Sequence, residues 1–331
     1  MTLQQYPSKS SAKHFEITVS STQPVRSPAE HSKYLVTNQG VVDSLRVPQD
    51  GTVKIGRQQV TEEGYRPNDI MLSAADRAIS RSHCMILYEQ FFQTQIPDSW
   101  VAFLMGYHPR LGSNSSLAVL PHELLRYILE YLREPKCLYL VDLGSLCGTY
   151  VRVSHTEPVD LEENQVFLVG CDIIIEVERV TYDPVPSSLG SETPIEEYGQ
   201  TVESEYRIDE ILPFIHIKVS HNPNDHEQTM QPISHKFIAE EKYKKFTIGR
   251  SQMCDIQLAE NTISRVQCRL EYHQGKWFIY DGLPEKSSVN GTWLSISKKS
   301  QEPRKHSQPF KLKNNSQIKI SETILEVSWE E

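Results

Sequence analysis

Three short clusters in the second half of the chain carry groups suited to holding an anion. Thr247-Ile-Gly-Arg250 ends in a guanidinium, Ile263-Ser-Arg265 offers a hydroxyl and a second guanidinium, and Ser288-Val-Asn-Gly-Thr-Trp293 offers the carboxamide of Asn290. A guanidinium fork pairs with two phosphate oxygens at once, and neutral donors complete the cradle. A phosphorylated, extended peptide is the ligand this set fits. The set holds no nucleophile beside a base, so it suits binding and not bond cleavage.

These clusters must be presented by strand ends. Phe246-Thr-Ile-Gly, Cys268-Arg-Leu-Glu-Tyr and Trp277-Phe-Ile-Tyr are short β-branched or aromatic runs broken by Gly, Asn and Asp, which is the texture of an antiparallel sandwich. The same order of signals occurs earlier in the chain. Gly56-Arg57 matches Gly249-Arg250, Asp69-Ile-Met-Leu matches Asp255-Ile-Gln-Leu, Ile79-Ser80-Arg81 matches Ile263-Ser264-Arg265, and Ser145-Leu-Cys-Gly-Thr149 matches Ser288-Val-Asn-Gly-Thr292. Four correspondences in one order define an internal repeat.

These residues closely resemble the forkhead-associated (FHA) family, whose members show Gly-Arg, then Ser-Arg-x-His, then Asn-Gly-Thr. The resemblance implies an all-β chain of two tandem 11-stranded β-sandwiches that bind phosphothreonine-containing proteins without catalysis. Carried over by position, it assigns Arg250 to the phosphate region, Ser264 to a phosphate oxygen, Arg265 to a further contact and Asn290 to the peptide backbone. In the first repeat the matching residues are Arg57, Ser80 and Arg81, with His83 as the supporting histidine. Cys147 stands there in place of the asparagine, and a thiol is a weak donor. In the second repeat Gln267 stands in place of the histidine. The second repeat is therefore expected to be the better binder, on a softer mount.

The interval from Ser80 to Gly148 is far longer than that from Ser264 to Gly291, and the excess, at about 92–135, reads as a helical hairpin. Its apolar stripe Leu124, Leu125, Ile128, Leu132 resembles the opening helix of an F-box. Three uses of it stay open: docking a ubiquitin ligase, contacting a further protein partner, or packing on its own sandwich. The expected organisation is a flexible tail at 1–32 with a short strand at Phe15–Val19, a first unit at 33–182, an acidic Pro- and Ser-containing linker at 183–210, and a second unit at 211–331.

A net charge of −9 argues against nucleic acid as the main partner, because phosphate backbones are bound by clustered Lys and Arg. The cysteines have no metal-type spacing, so neither metal nor cofactor is expected, and free thiols point to a cytoplasmic or nuclear location. No run reaches the apolar length of a membrane span. Asp142-Leu-Gly144 has the form of a kinase tripeptide, but no Gly-rich loop or His-Arg-Asp segment accompanies it. Two alternatives to phosphopeptide binding remain: phosphate-independent docking, and a ligase adaptor working through the insertion.

Overall fold

The computed structural model describes residues 14–21, 32–37, 40–46, 50–88, 138–182, 212–221, 231–240, 244–302 and 304–329. The expected helical hairpin, with Leu124, Leu125, Ile128 and Leu132, and the acidic linker lie outside them. Among the described residues all regular structure is strand.

The chain falls into three runs of strands. The first holds β1 (Phe15–Ser21), β2 (Ser32–Thr37), β3 (Gly40–Val41), β4 (Thr52–Gly56), β5 (Ile70–Met71), β6 (Cys84–Tyr88), β7 (Leu138–Asp142) and β8 (Tyr150–Arg152). The second holds β9 (Val159–Asp160), β10 (Val166–Val169), β11 (Ile173–Val180), β12 (Phe214–His221), β13 (Ile233–Ile238), β14 (Lys245–Gly249), β15 (Ile256–Gln257), β16 (Cys268–His273), β17 (Lys276–Asp281) and β18 (Thr292–Ser295). The third holds β19 (Phe310–Leu312), β20 (Ser316–Ile320) and β21 (Thr323–Trp329).

An 11-stranded sheet runs β13-β12-β11-β10-β18-β8-β20-β21-β1-β2-β3, faced by two 5-stranded sheets, β15-β14-β16-β17-β9 and β19-β7-β6-β4-β5. Two cores lie between these layers. One gathers Ile17, Ile55, Ile86, Leu140 and Val151 with Ile318, Leu325 and Val327; the other gathers Leu161, Phe167 and Ile175 with Ile217, Ile248, Leu270, Trp277 and Leu294. Alternation of apolar and polar residues aims each strand inward, as in β11, whose Ile173, Ile175 and Val177 are buried.

Neither core follows the order of the sequence repeats. The inner unit is the continuous run β9 to β18, and the outer unit is built from β1 to β8 together with β19 to β21. Relative to the expected units, β9 to β11 and β19 to β21 have traded places. After β8 the chain crosses at Val153, whose N–H reaches Thr292 O at 2.8 Å, and after β18 it crosses back at Ile296, whose N–H reaches Thr149 O at 3.0 Å. The interval between the expected units separates β11 from β12, which are neighbours in one sheet, with Val180 opposite Ile215. Both repeats supply a similar closing hairpin, so exchange replaces one set of strand contacts with a near copy of itself. Pairing of β8 with β18, with Val151 opposite Leu294, then joins the two units into one sheet.

The short strand expected within the first 32 residues at Phe15–Val19 is present as β1. β1 pairs with both β2 and β21, and Phe15 and Ile17 are buried, because every second residue of Phe15-Glu-Ile-Thr-Val is apolar.

Candidate functional site

The three clusters of the second repeat meet at the end of the inner sandwich where β14, β16 and β18 abut their loops. Two backbone bonds tie the first two loops: Arg250 N–H to Ser264 O at 2.9 Å and Ser251 N–H to Arg265 O at 3.0 Å. Gly249 makes this approach possible, since a Cβ there would lie 2.4 Å from Arg265 O. The third loop is fastened by Val289 N–H to Ser264 Oγ at 3.0 Å and by Asn290 Nδ2 to Thr262 O at 2.7 Å. Ser264 Oγ thus accepts from the loop and keeps its own proton to donate. Arg250 and Arg265 are exposed, and among the described residues neither guanidinium has an ion pair or hydrogen bond. Two cations, a hydroxyl donor and a carboxamide therefore share one rim.

Beneath the rim, Gln267 is fully buried and ties the second loop to the third. Its Oε1 accepts Ser264 N–H at 3.0 Å, and its Nε2 donates to Ser288 Oγ and to Gly291 O, both at 2.8 Å. Both amide donors and the carbonyl oxygen are engaged, so the carboxamide that stands in place of the histidine braces these loops.

In the first repeat the geometry is parallel but less open. Arg57 N–H reaches Ser80 O at 3.1 Å, and Gln58 N–H reaches Arg81 O at 3.1 Å. Arg57 Nε is spent on Ile79 O at 2.6 Å, while Arg81 is exposed. His83 Nδ1 accepts Ser80 N–H at 3.1 Å, which places the ring proton on Nε2, 3.1 Å from Gly148 O. Cys147 Sγ contacts Gly148 O at 3.7 Å. Burial pushes its thiol pKa up to about 11, so it is a neutral, weak donor at the place where the second repeat has Asn290.

Sequence reasoning missed the residues that set the third loop. Asp281 is fully buried and accepts Ser288 N–H at 3.0 Å, Ser288 O–H at 2.6 Å and Thr292 O–H at 2.8 Å. Asp142 does the same work in the other unit, accepting from Ser145 N–H at 2.7 Å, Ser145 O–H at 2.6 Å and Thr149 O–H at 2.5 Å. The signal was present as an aspartate closing an apolar strand in both repeats, Leu-Tyr-Leu-Val-Asp142 and Trp-Phe-Ile-Tyr-Asp281. It is a positioning carboxylate, which is what the Asp142-Leu-Gly144 tripeptide amounts to.

The FHA domain family matches residues 246–321. That stretch is similar to the FHA domain, a family of non-catalytic protein-interaction modules that bind phosphopeptides. The matched stretch begins in β14 of the inner unit and ends just after β20 of the outer one. No curated protein matches the chain. Among solved structures, the Slr1951 protein from Synechocystis sp. is similar at 20% identity, covering 30% of this chain and 86% of that one with a TM-score of 0.16, too low to bear on the fold.

Proposed function

We propose that this chain is a signalling or scaffold protein with two FHA-type units, and that its stronger phosphothreonine-peptide site is formed by Arg250, Ser264, Arg265 and Asn290. What carries the reading is the set of short bonds that gathers those four residues while leaving both guanidinium groups exposed. Phosphate is taken by Arg250 and the Ser264 hydroxyl, Arg265 adds a second cation, and the Asn290 carboxamide turns from Thr262 O to the peptide backbone. The first repeat, with Arg57, Ser80 and Arg81, binds more weakly, because Cys147 offers the peptide backbone almost nothing and Arg57 is partly occupied. Its partners are phosphothreonine-containing proteins.

A test uses the full chain, since the second repeat does not contain a whole core. Fluorescence anisotropy against a degenerate phosphothreonine library should show binding that Arg250→Ala weakens at least about tenfold, the loss expected for a charge-assisted phosphate contact. Equal binding of the phosphorylated and unphosphorylated libraries would sink the reading. Partners retained in pull-downs after phosphatase treatment would favour phosphate-independent docking, to which the occupied Arg57 and the Cys147 substitution make the first repeat better suited.

A further inference from the structure

We propose that Arg152, a residue of the first repeat, is a positioning residue for the Asn290 loop of the second. Arg152 ends β8 and lies directly opposite Trp293 of β18, across the seam where the two units join. Its Nη2 donates to Ser288 O at 3.1 Å and lies 4.0 Å from Asp281 Oδ2, so it braces the strand-to-loop corner that Asp281 sets. Its Nη1 donates to Gln317 Oε1 at 2.9 Å, which anchors the guanidinium to β20 of the outer unit.

The same guanidinium lies 5.7 Å from the centroid of the Trp293 ring, and Lys319 Nζ approaches that ring at 5.7 Å as well. A cation over an indole face is attracted by the ring quadrupole, so the pair holds the ring in one orientation. That orientation matters because Trp293 Nε1 donates to Asn290 O at 2.7 Å. Gly291, at φ +78°, leaves room for the ring, since a Cβ there would lie 2.8 Å from Trp293 Nε1 and 3.2 Å from Arg152 Nε. A chain of contacts therefore runs from β20 of the outer unit through Gln317, Arg152 and Trp293 to Asn290.

Among the described residues the brace has no counterpart at the other site. Opposite Tyr150, the residue that answers Trp293, β18 places Ser295, whose hydroxyl donates to Ser297 O at 2.9 Å. Strand exchange thus gives the second repeat's loop a support that its own sequence lacks.

The functional consequence rests on the phosphopeptide reading, so the test has one arm that needs no ligand. In the full chain, hydrogen exchange of the Trp293 indole proton by NMR should speed up about tenfold in Arg152→Ala, with the buried Trp277 indole as internal reference. In the second arm, Arg152→Ala should weaken phosphothreonine-library binding about fivefold in the wild-type background and not at all in Asn290→Ala, because interacting residues are not additive. Arg152→Lys, which keeps the stacking charge but not the fork, should fall between the two and serves if Arg152→Ala does not fold. Unchanged indole exchange overturns the proposal, as does an equal loss of affinity in both backgrounds. Faster exchange in a chain that ignores phosphothreonine upholds the brace and overturns the phosphopeptide reading.

Discussion

Gln267 and His83 hold the same place in their two units and make the same two bonds: each accepts the N–H of a site serine, Ser264 or Ser80, and each donates to a glycine carbonyl, Gly291 or Gly148. A carboxamide and a neutral imidazole both present an acceptor and a donor on opposite sides of a flat group, so one replaces the other without loss of satisfaction. They differ in titration. Only the imidazole takes up a proton near neutral pH.

Burial pushes the His83 pKa below the usual imidazole value. The folded unit therefore binds that proton at lower pH than the unfolded chain does, and the stability tied to neutral His83 is present above about pH 6.5 and lost as pH falls below it. His83→Gln should leave the thermal midpoint at pH 7.5 nearly unchanged and reduce its decline toward about pH 5, since no imidazole remains to be charged. Circular-dichroism melts across that range check it. Identical pH profiles for both proteins would contradict it.

Asp281→Asn offers an amide to donors that need an acceptor. With Ser288 and Thr292 both aimed at one fully buried carboxylate, the substitution should cost roughly 2–3 kcal/mol, the range for stranding buried hydrogen-bonding groups. Chemical denaturation of the full chain measures it, and the loss of phosphopeptide binding should accompany the loss of stability.

Cys147→Asn should give the first repeat the carboxamide that the second has. Measured in an Arg250→Ala background, which weakens the site proposed for the second repeat, phosphothreonine-library affinity should rise about fivefold as a good donor and acceptor replaces a weak one. No gain would mean that the occupied Arg57 limits that site instead.

The exchange of strands brings acids of the first repeat against lysines of the second: Asp160 Oδ2 lies 2.8 Å from Lys276 Nζ, Glu162 Oε2 lies 2.6 Å from Lys298 Nζ, and Glu157 Oε2 lies 2.5 Å from Lys313 Nζ. Exposed pairs of this kind add little stability, but a zero-length carbodiimide joins only carboxylates and amines already in contact. Mass spectrometry of the cross-linked monomer should recover Asp160–Lys276 and Glu162–Lys298 amides. Repeats folded separately in sequence order would yield neither.

The sequence by itself determined the β texture and offered the repeated motif order and Arg250, Ser264, Arg265 and Asn290 as a candidate set, because these depend on residue type and on short spacings. Only the tertiary structure decided which hairpin closes which core. β10 with β11 and β20 with β21 offer near-equivalent apolar faces, and local pattern cannot choose between equivalent partners. That choice falls to the crossings at Val153 and Ile296 and to the seam between β8 and β18, which are contacts far apart in the chain. The same seam brings Arg152 beneath a loop more than a hundred residues later, a support that no reading of either repeat alone contains.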